Sequence, residues 1–129
     1  MATISNFEDL EIWQKARNIC KMVYAFSQKP IFFENTPLRH QILRSSGSIM
    51  DNIAEGFERE GSKELIYFLS IAKGSCGECR SQTYRALDQN NISQIEFDEL
   101  YKMLAVESKQ INKFISYLKE SKIKGNKFK

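Results

Sequence analysis

Thr36-Pro37-Leu38-Arg39-His40-Gln41-Ile42-Leu43-Arg44-Ser45-Ser46-Gly47-Ser48-Ile49-Met50-Asp51-Asn52-Ile53-Ala54-Glu55-Gly56-Phe57 is the stretch that decides the fold. Thr36 is a good helix cap, and Pro37 suits the first helical position, where its missing N–H costs nothing. Leu38, Ile42, Ile49, Ile53 and Phe57 then recur at the spacing that collects them on one face of a helix. Gly56 or Gly61 marks its end. The small side chains of Ser45-Ser46-Gly47-Ser48 let a neighbouring helix approach closely, or leave room for a large partner side chain.

Outward from this helix the same periodicity recurs three times. Upstream, Ile12, Trp13, Ala16, Ile19, Cys20, Val23 and Tyr24 predict a helix from about Glu8 to Ser27, with Asn6 as its cap. Lys29-Pro30-Ile31-Phe32-Phe33-Glu34-Asn35 breaks the pattern and reads as a connection that tucks its aromatics inward. Downstream, Leu65, Phe68, Leu69, Ala72, Cys76, Cys79, Thr83, Ala86 and Leu87 form the stripe of a helix from Ser62 to about Asp88. Gln89-Asn90-Asn91 stops it, and Ser93-Gln94-Ile95-Glu96 is a capping box. A fourth helix carries Phe97, Leu100, Tyr101, Leu104, Ile111, Phe114, Ile115 and Leu118, close to a heptad repeat. Four helices joined by short links predict an all-α protein, an antiparallel up-down-up-down four-helix bundle over residues 1–121. Residues 122–129 read as a basic, flexible tail.

With 129 residues the chain has room for one core. Only 6 Gly and 2 Pro are too few for an all-β chain, and 9 Phe, 5 Tyr and 1 Trp argue against disorder. The net charge of +3 is unevenly placed: residues 109–129 carry +6 and residues 1–108 carry −3. No apolar run is long enough for a membrane span, and the N-terminal stretch lacks the apolar core of a secretory signal. Three cysteines are an odd number for a disulfide framework, so a cytoplasmic location is expected. Nucleotide-binding glycine loops, zinc-protease and serine-hydrolase motifs are all missing, and His40 is the single histidine.

Several blocks together resemble a known family. They are Phe7-Glu8-Asp9-Leu10 with Trp13-Gln14-Lys15-Ala16, then Gln41 to Ile49, Asn52-Ile53-Ala54-Glu55-Gly56, and Phe68 to Ser75 followed by Glu78. In order and spacing they are similar to the four-helix-bundle proteins encoded in intervening sequences of bacterial 23S ribosomal RNA genes. The resemblance covers roughly residues 5–118. It implies a ring-like homo-oligomer, a pentamer. It also implies a relation to the accessory variability proteins of diversity-generating retroelements, which bind reverse transcriptase and nucleic acid. The ribosomal label describes gene location, and the function of the intervening-sequence branch is undefined. Cys76, Cys79 and Gly47 depart from the family pattern without threatening the fold.

Two groups of residues are candidates for function. The first is polar: Ser45, Ser48, Asn52 and Glu55 on the second helix, and Ser75, Glu78 and Gln82 on the third, each set on one helical face. These residues either hydrogen-bond each other to fix helix register, or place Glu55 and Glu78 to hold a divalent metal or act as acid and base. The structural reading is favoured, because bundle metal sites bring more carboxylates and a Glu-x-x-His motif. Cys76-Gly77-Glu78-Cys79 lies in mid-helix, so its thiols read as core rather than redox groups. A zinc site would need Cys20 and His40 as well. Arg39 is directly adjacent to His40, which argues against the Arg–His spacing of helical-bundle ribonucleases.

The second group is basic: Arg39, Arg44, Arg59, Lys63, Lys73, Arg80 and Arg85 on the helices, and Lys122, Lys124, Lys127 and Lys129 in the tail. In a monomer they are a solvated charged face. In a ring each is repeated, and weak phosphate contacts act multivalently. The expected protein is a non-enzymatic homo-oligomer without cofactor or metal. It binds structured RNA or DNA, or serves as a scaffold docking a protein partner such as a nucleic-acid enzyme or a ribosome-associated protein. Tyr67, Tyr84, Tyr101 and Tyr117, beside the main stripes, also point to oligomerisation.

Overall fold

The computed structural model describes residues 4–125, with side chains through Ser121. A single 3-10 turn, Phe7–Asp9, precedes α1 (Glu11–Ser27), α2 (Pro30–Glu34), α3 (Thr36–Glu58), α4 (Ser62–Asp88) and α5 (Gln94–Gly125). No strand occurs among the described residues. Among the described residues the chain is an all-α helical bundle of four long helices and one short one.

Each long helix buries the face its periodicity marks. Ile12, Ala16, Ile19 and Val23 of α1 meet Leu38, Ile42, Ile49 and Ile53 of α3 in one core. Leu69, Ala72, Cys76 and Cys79 of α4 and Leu100, Leu104, Ile111 and Leu118 of α5 complete it, all essentially excluded from solvent. Each buried Leu or Ile contributes about 1.5–3 kcal/mol, so this core outweighs every polar contact described below. α3 packs on α4, α4 on α5, α1 on α3 and α1 on α5. Along α3–α4 side-chain hydrogen bonds join Gln41 with Arg85, Ser45 with Gln82, and Ser48 with Ser75.

The helix starts are uneven in chemistry. The capping box at α5 is fully made: the Ser93 N–H donates to Glu96 Oε1 at 2.9 Å, and the Glu96 N–H donates to Ser93 Oγ at 3.1 Å. Thr36 is not the cap of α3. It lies inside the helix, the cap position is Asn35, and no side-chain cap bond forms there. Asn6 likewise precedes only the 3-10 turn and makes no cap bond, and α1 begins after Leu10.

Two expectations change. The segment after α1 is not an irregular connection. Pro30 opens a short helix, because its fixed φ is already helical and Lys29 before it is extended. Of its aromatics only Phe32 turns inward, at 1% exposure, while Phe33 is 46% exposed beneath the Arg39 guanidinium, 4.2 Å from the ring centre. At the other end, α5 continues through Gly125, so residues 122–125 extend the helix rather than starting a tail.

This short helix is also anchored at a distance. Asn35 Nδ2 donates to Gln89 Oε1 and to Asn91 Oδ1, both at 2.7 Å, and Lys29 pairs with Glu96. The α1–α3 connection is therefore fastened to the α4–α5 connection. The α3–α4 link lies at the opposite end and is tight: Glu60 takes the left-handed conformation, φ 54°, to turn the chain in three residues.

Candidate functional site

The polar stripe of α3 and α4 meets itself across the helix seam. Ser45 Oγ donates to Gln82 Oε1 at 2.6 Å, and Ser75 Oγ donates to Ser48 Oγ at 2.9 Å. Asn52 Nδ2 donates to the Ser48 carbonyl at 2.8 Å and to Ser48 Oγ at 2.9 Å. Ser45, Ser75 and Gln82 are buried, so these bonds satisfy groups that water cannot reach. Such pairs are made in one register of α3 against α4 and lost in any other.

The two carboxylates of the stripe do not join it. Glu55 is exposed and pairs with Arg59 one turn on at 2.9 Å; Glu78 is exposed on the outer side of α4. No group of three or more metal-ligating side chains converges among the described residues. The stripe thus splits into Ser45, Ser48, Asn52, Ser75 and Gln82, which share the seam's hydrogen bonds, and two glutamates that do not. The division follows helical phase: Glu55 and Glu78 sit at the flank of their stripes, where long side chains reach solvent.

Close helix approach occurs at Gly56 rather than at Gly47. A Cβ at Gly56 would lie 2.7 Å from Phe68 Cβ and 3.2 Å from Leu65 Cδ1, whereas one at Gly47 would meet nothing within 4 Å. Ser46 is buried toward α1 instead, and its carbonyl accepts the Cys20 thiol at 3.2 Å. All three cysteines are free. Burial pushes the Cys76 and Cys79 thiols up to about 12, so both stay protonated at neutral pH. Cys20 is raised as well, again by burial. Protonated, buried thiols are poor nucleophiles and poor metal ligands. His40 is exposed at the start of α3.

Among the described residues the basic side chains do not form one patch. Arg39 turns to α2, where Nε donates to the Phe33 carbonyl at 3.2 Å. Arg85 reaches across to Gln41 Oε1 at 2.7 Å, one turn before Arg44 on α3, so Arg44 and Arg85 share one end of the α3–α4 pair. Lys73 and Arg80, seven residues apart, share the side of α4 that faces α5, where the Arg80 guanidinium lies 5.8 Å from the Tyr101 ring centre. Arg59 is neutralised by Glu55 and approaches Glu64 at 3.9 Å. Arg44, Lys63 and Lys73 are exposed and form no ion pair among the described residues. Lys122 and Lys124 fall within the α5 helix. Their side chains lie outside the described residues, as do Lys127 and Lys129 altogether.

One polar residue of the core escapes a sequence reading based on apolar spacing. Glu107 is fully buried, neither carboxylate oxygen has a hydrogen-bond partner among the described residues, and burial raises its pKa to about 8. Its signal is a gap in the heptad of α5: Leu100, Leu104 and Ile111 leave position 107 as the missing inward step. Gln110 Oε1 and Arg80 Nε are buried without partners too.

No helix among the described residues is long and apolar enough to cross a membrane. No curated protein matches the chain. The model of one family, the 23S rRNA-intervening sequence proteins, matches residues 8–113, a span that takes in α1 to α4 and more than half of α5. The chain therefore belongs to the 23S rRNA-intervening sequence protein family.

Proposed function

We propose that the chain is an up-down-up-down bundle that assembles with copies of itself, a pentamer by family resemblance, and binds structured RNA or DNA without catalysing a reaction. The α3–α4 contacts support the arrangement. As the α3 partner advances from Gln41 to Ser45 to Ser48, the α4 partner recedes from Arg85 to Gln82 to Ser75. The observation that carries the binding role is that exposed cations without carboxylate partners among the described residues, Arg44, Lys63 and Lys73 among them, are dispersed over the bundle. Lys109, Lys113 and Lys119 add exposed charge along α5. One subunit offers separate weak phosphate contacts, and a ring repeats each of them. The polar stripe spends its hydrogen bonds inside the fold, which fits a structural role. The place of action is the cytoplasm, in keeping with three free cysteines.

Electrophoretic mobility shift with structured RNA and duplex DNA at low and at physiological salt tests the binding role. Retardation at low salt that weakens steeply as salt rises is the expected result. No retardation at low salt by the assembled protein rejects it. Native mass spectrometry tests assembly, and a 15.0 kDa particle at micromolar concentration rejects it.

A scaffold role has its own support in exposed apolar side chains: Tyr24 at 59%, Ile31 at 64%, Tyr67 at 60% and Ile95 at 73%. A protein partner that stays bound through nuclease treatment and high salt would select this reading.

A further inference from the structure

We propose that Glu107 is a proton-controlled latch on the seam between α1 and α5, closed while its carboxyl carries a proton and loosened when the proton is lost. Glu107 occupies an inward heptad position of α5 at 0% exposure, and both its oxygens lack partners among the described residues. One turn on, Gln110 Oε1 is also buried and unpartnered. Two clefts flank this stretch along the same seam. One, of about 300 Å³, lies between Lys15, Asn18 and Ile19 of α1 and Lys102, Met103 and Val106 of α5. The other, of about 280 Å³, lies between Glu11 and Ile12 of α1 and Gln110, Lys113 and Phe114 of α5. The seam is thus cut back on both sides of its buried carboxyl.

The charged and titratable groups that act on Glu107 are Lys15 and Glu11 from α1, while on α4 Cys76 lies close enough to feel its charge. Lys15 favours the ionised form more strongly than Glu11 opposes it, so α1 offsets only part of the cost of burial. Lys73 and Arg80 of α4 act on Cys76. A buried anion with no hydrogen bond is far more costly than the same group protonated. Water admitted between α1 and α5 would relieve it. α1 is the element able to yield, because the two clefts already thin its contact with α5.

Amide hydrogen exchange of the full chain at about pH 6 and about pH 9, corrected for intrinsic rates, tests the latch. The expected result is a loss of protection of about tenfold or more in α1 and in the α5 segment around Glu107, with α3 and α4 unchanged. Glu107→Gln should remove that pH dependence. The proposal is overturned by an α1 insensitive to pH, by a loss spread evenly over the long helices, or by the same dependence in E107Q. Should E107Q not fold, carbon NMR titration of the Glu107 carboxyl in the natural chain decides. A midpoint above neutrality that tracks the α1 exchange supports the latch, and one in the ordinary carboxylate range overturns it.

Discussion

Along the α3–α4 seam Ser45, Ser48, Asn52, Ser75 and Gln82 all make hydrogen bonds within the protein, whereas along α1–α5 Glu107 and Gln110 have buried oxygens that make none. Both seams bury polar atoms in a core of similar apolar chemistry. The difference lies in pairing. A paired polar group fixes register at little net cost, while an orphaned one stores a penalty that a change of solvent or sequence releases. α3–α4 is built to hold one alignment, and α1–α5 to remain separable.

The steepest loss of stability is expected from a steric clash in the α3–α4 seam. Gly56→Val requires a Cβ that would stand 2.7 Å from Phe68 Cβ, with Leu65 close behind and two methyl groups still to place. α3 must move off α4, and thermal melting should show a loss of about 3 kcal/mol. The reverse change belongs to the other seam. Glu107→Leu should stabilise the fold by about 2 kcal/mol at neutral pH, since a pKa displacement of one unit corresponds to about 1.4 kcal/mol and water entry recovers part of it.

The sign follows from the direction of the shift. Burial raises the Glu107 carboxyl from 4.5 to about 8 in the folded chain. Below the unfolded value both states are protonated and the stability is fully present. As pH rises toward and through the folded value the unfolded chain gives up its proton first, and stability falls. Denaturant titrations across that window should show the natural chain weakening and the Leu variant flat in this respect. A parallel decline in both would show that Glu107 is not the responsible group.

A smaller effect sharpens the first seam. Ser45→Ala leaves Gln82 Oε1 buried without its donor and should cost about 1.5 kcal/mol. A double-mutant cycle with Gln82→Met should recover about half of that as coupling, because the orphaned acceptor is then removed as well. The smallest effect is favourable. Gly47 lies in the middle of α3 with open space beyond its Cα, so Gly47→Ala should add about 0.7 kcal/mol through helix propensity. Two glycines nine positions apart on one helix would then respond with opposite signs.

Most of the scaffold is legible from spacing. Ser62 to Asp88 is read at both ends, and the Ser93–Glu96 capping box is visible because its two partners stand three residues apart. Local chemistry with a fixed offset can be read from a string of letters. The short helix Pro30–Glu34 cannot, since five residues are too few for a period to show. The candidate site is half legible. Helical phase correctly groups Ser45 with Ser48 and Ser75 with Gln82, yet it does not tell whether Glu55 and Glu78 at the stripe's flank turn inward or out. Glu107 illustrates the remaining gap. Reading only apolar positions skips a charged residue that the heptad forces inside.

The Asn35 clamp bears on the order in which the chain folds. Its two bonds join residues 54 and 56 positions apart, with all of α3 and α4 between them. Closing so long a loop before those helices have docked would cost entropy that two hydrogen bonds do not offset. The clamp is therefore expected to close late and to act as a kinetic fastener, so that Asn35→Ala should speed unfolding and leave the refolding rate little changed in stopped-flow measurements.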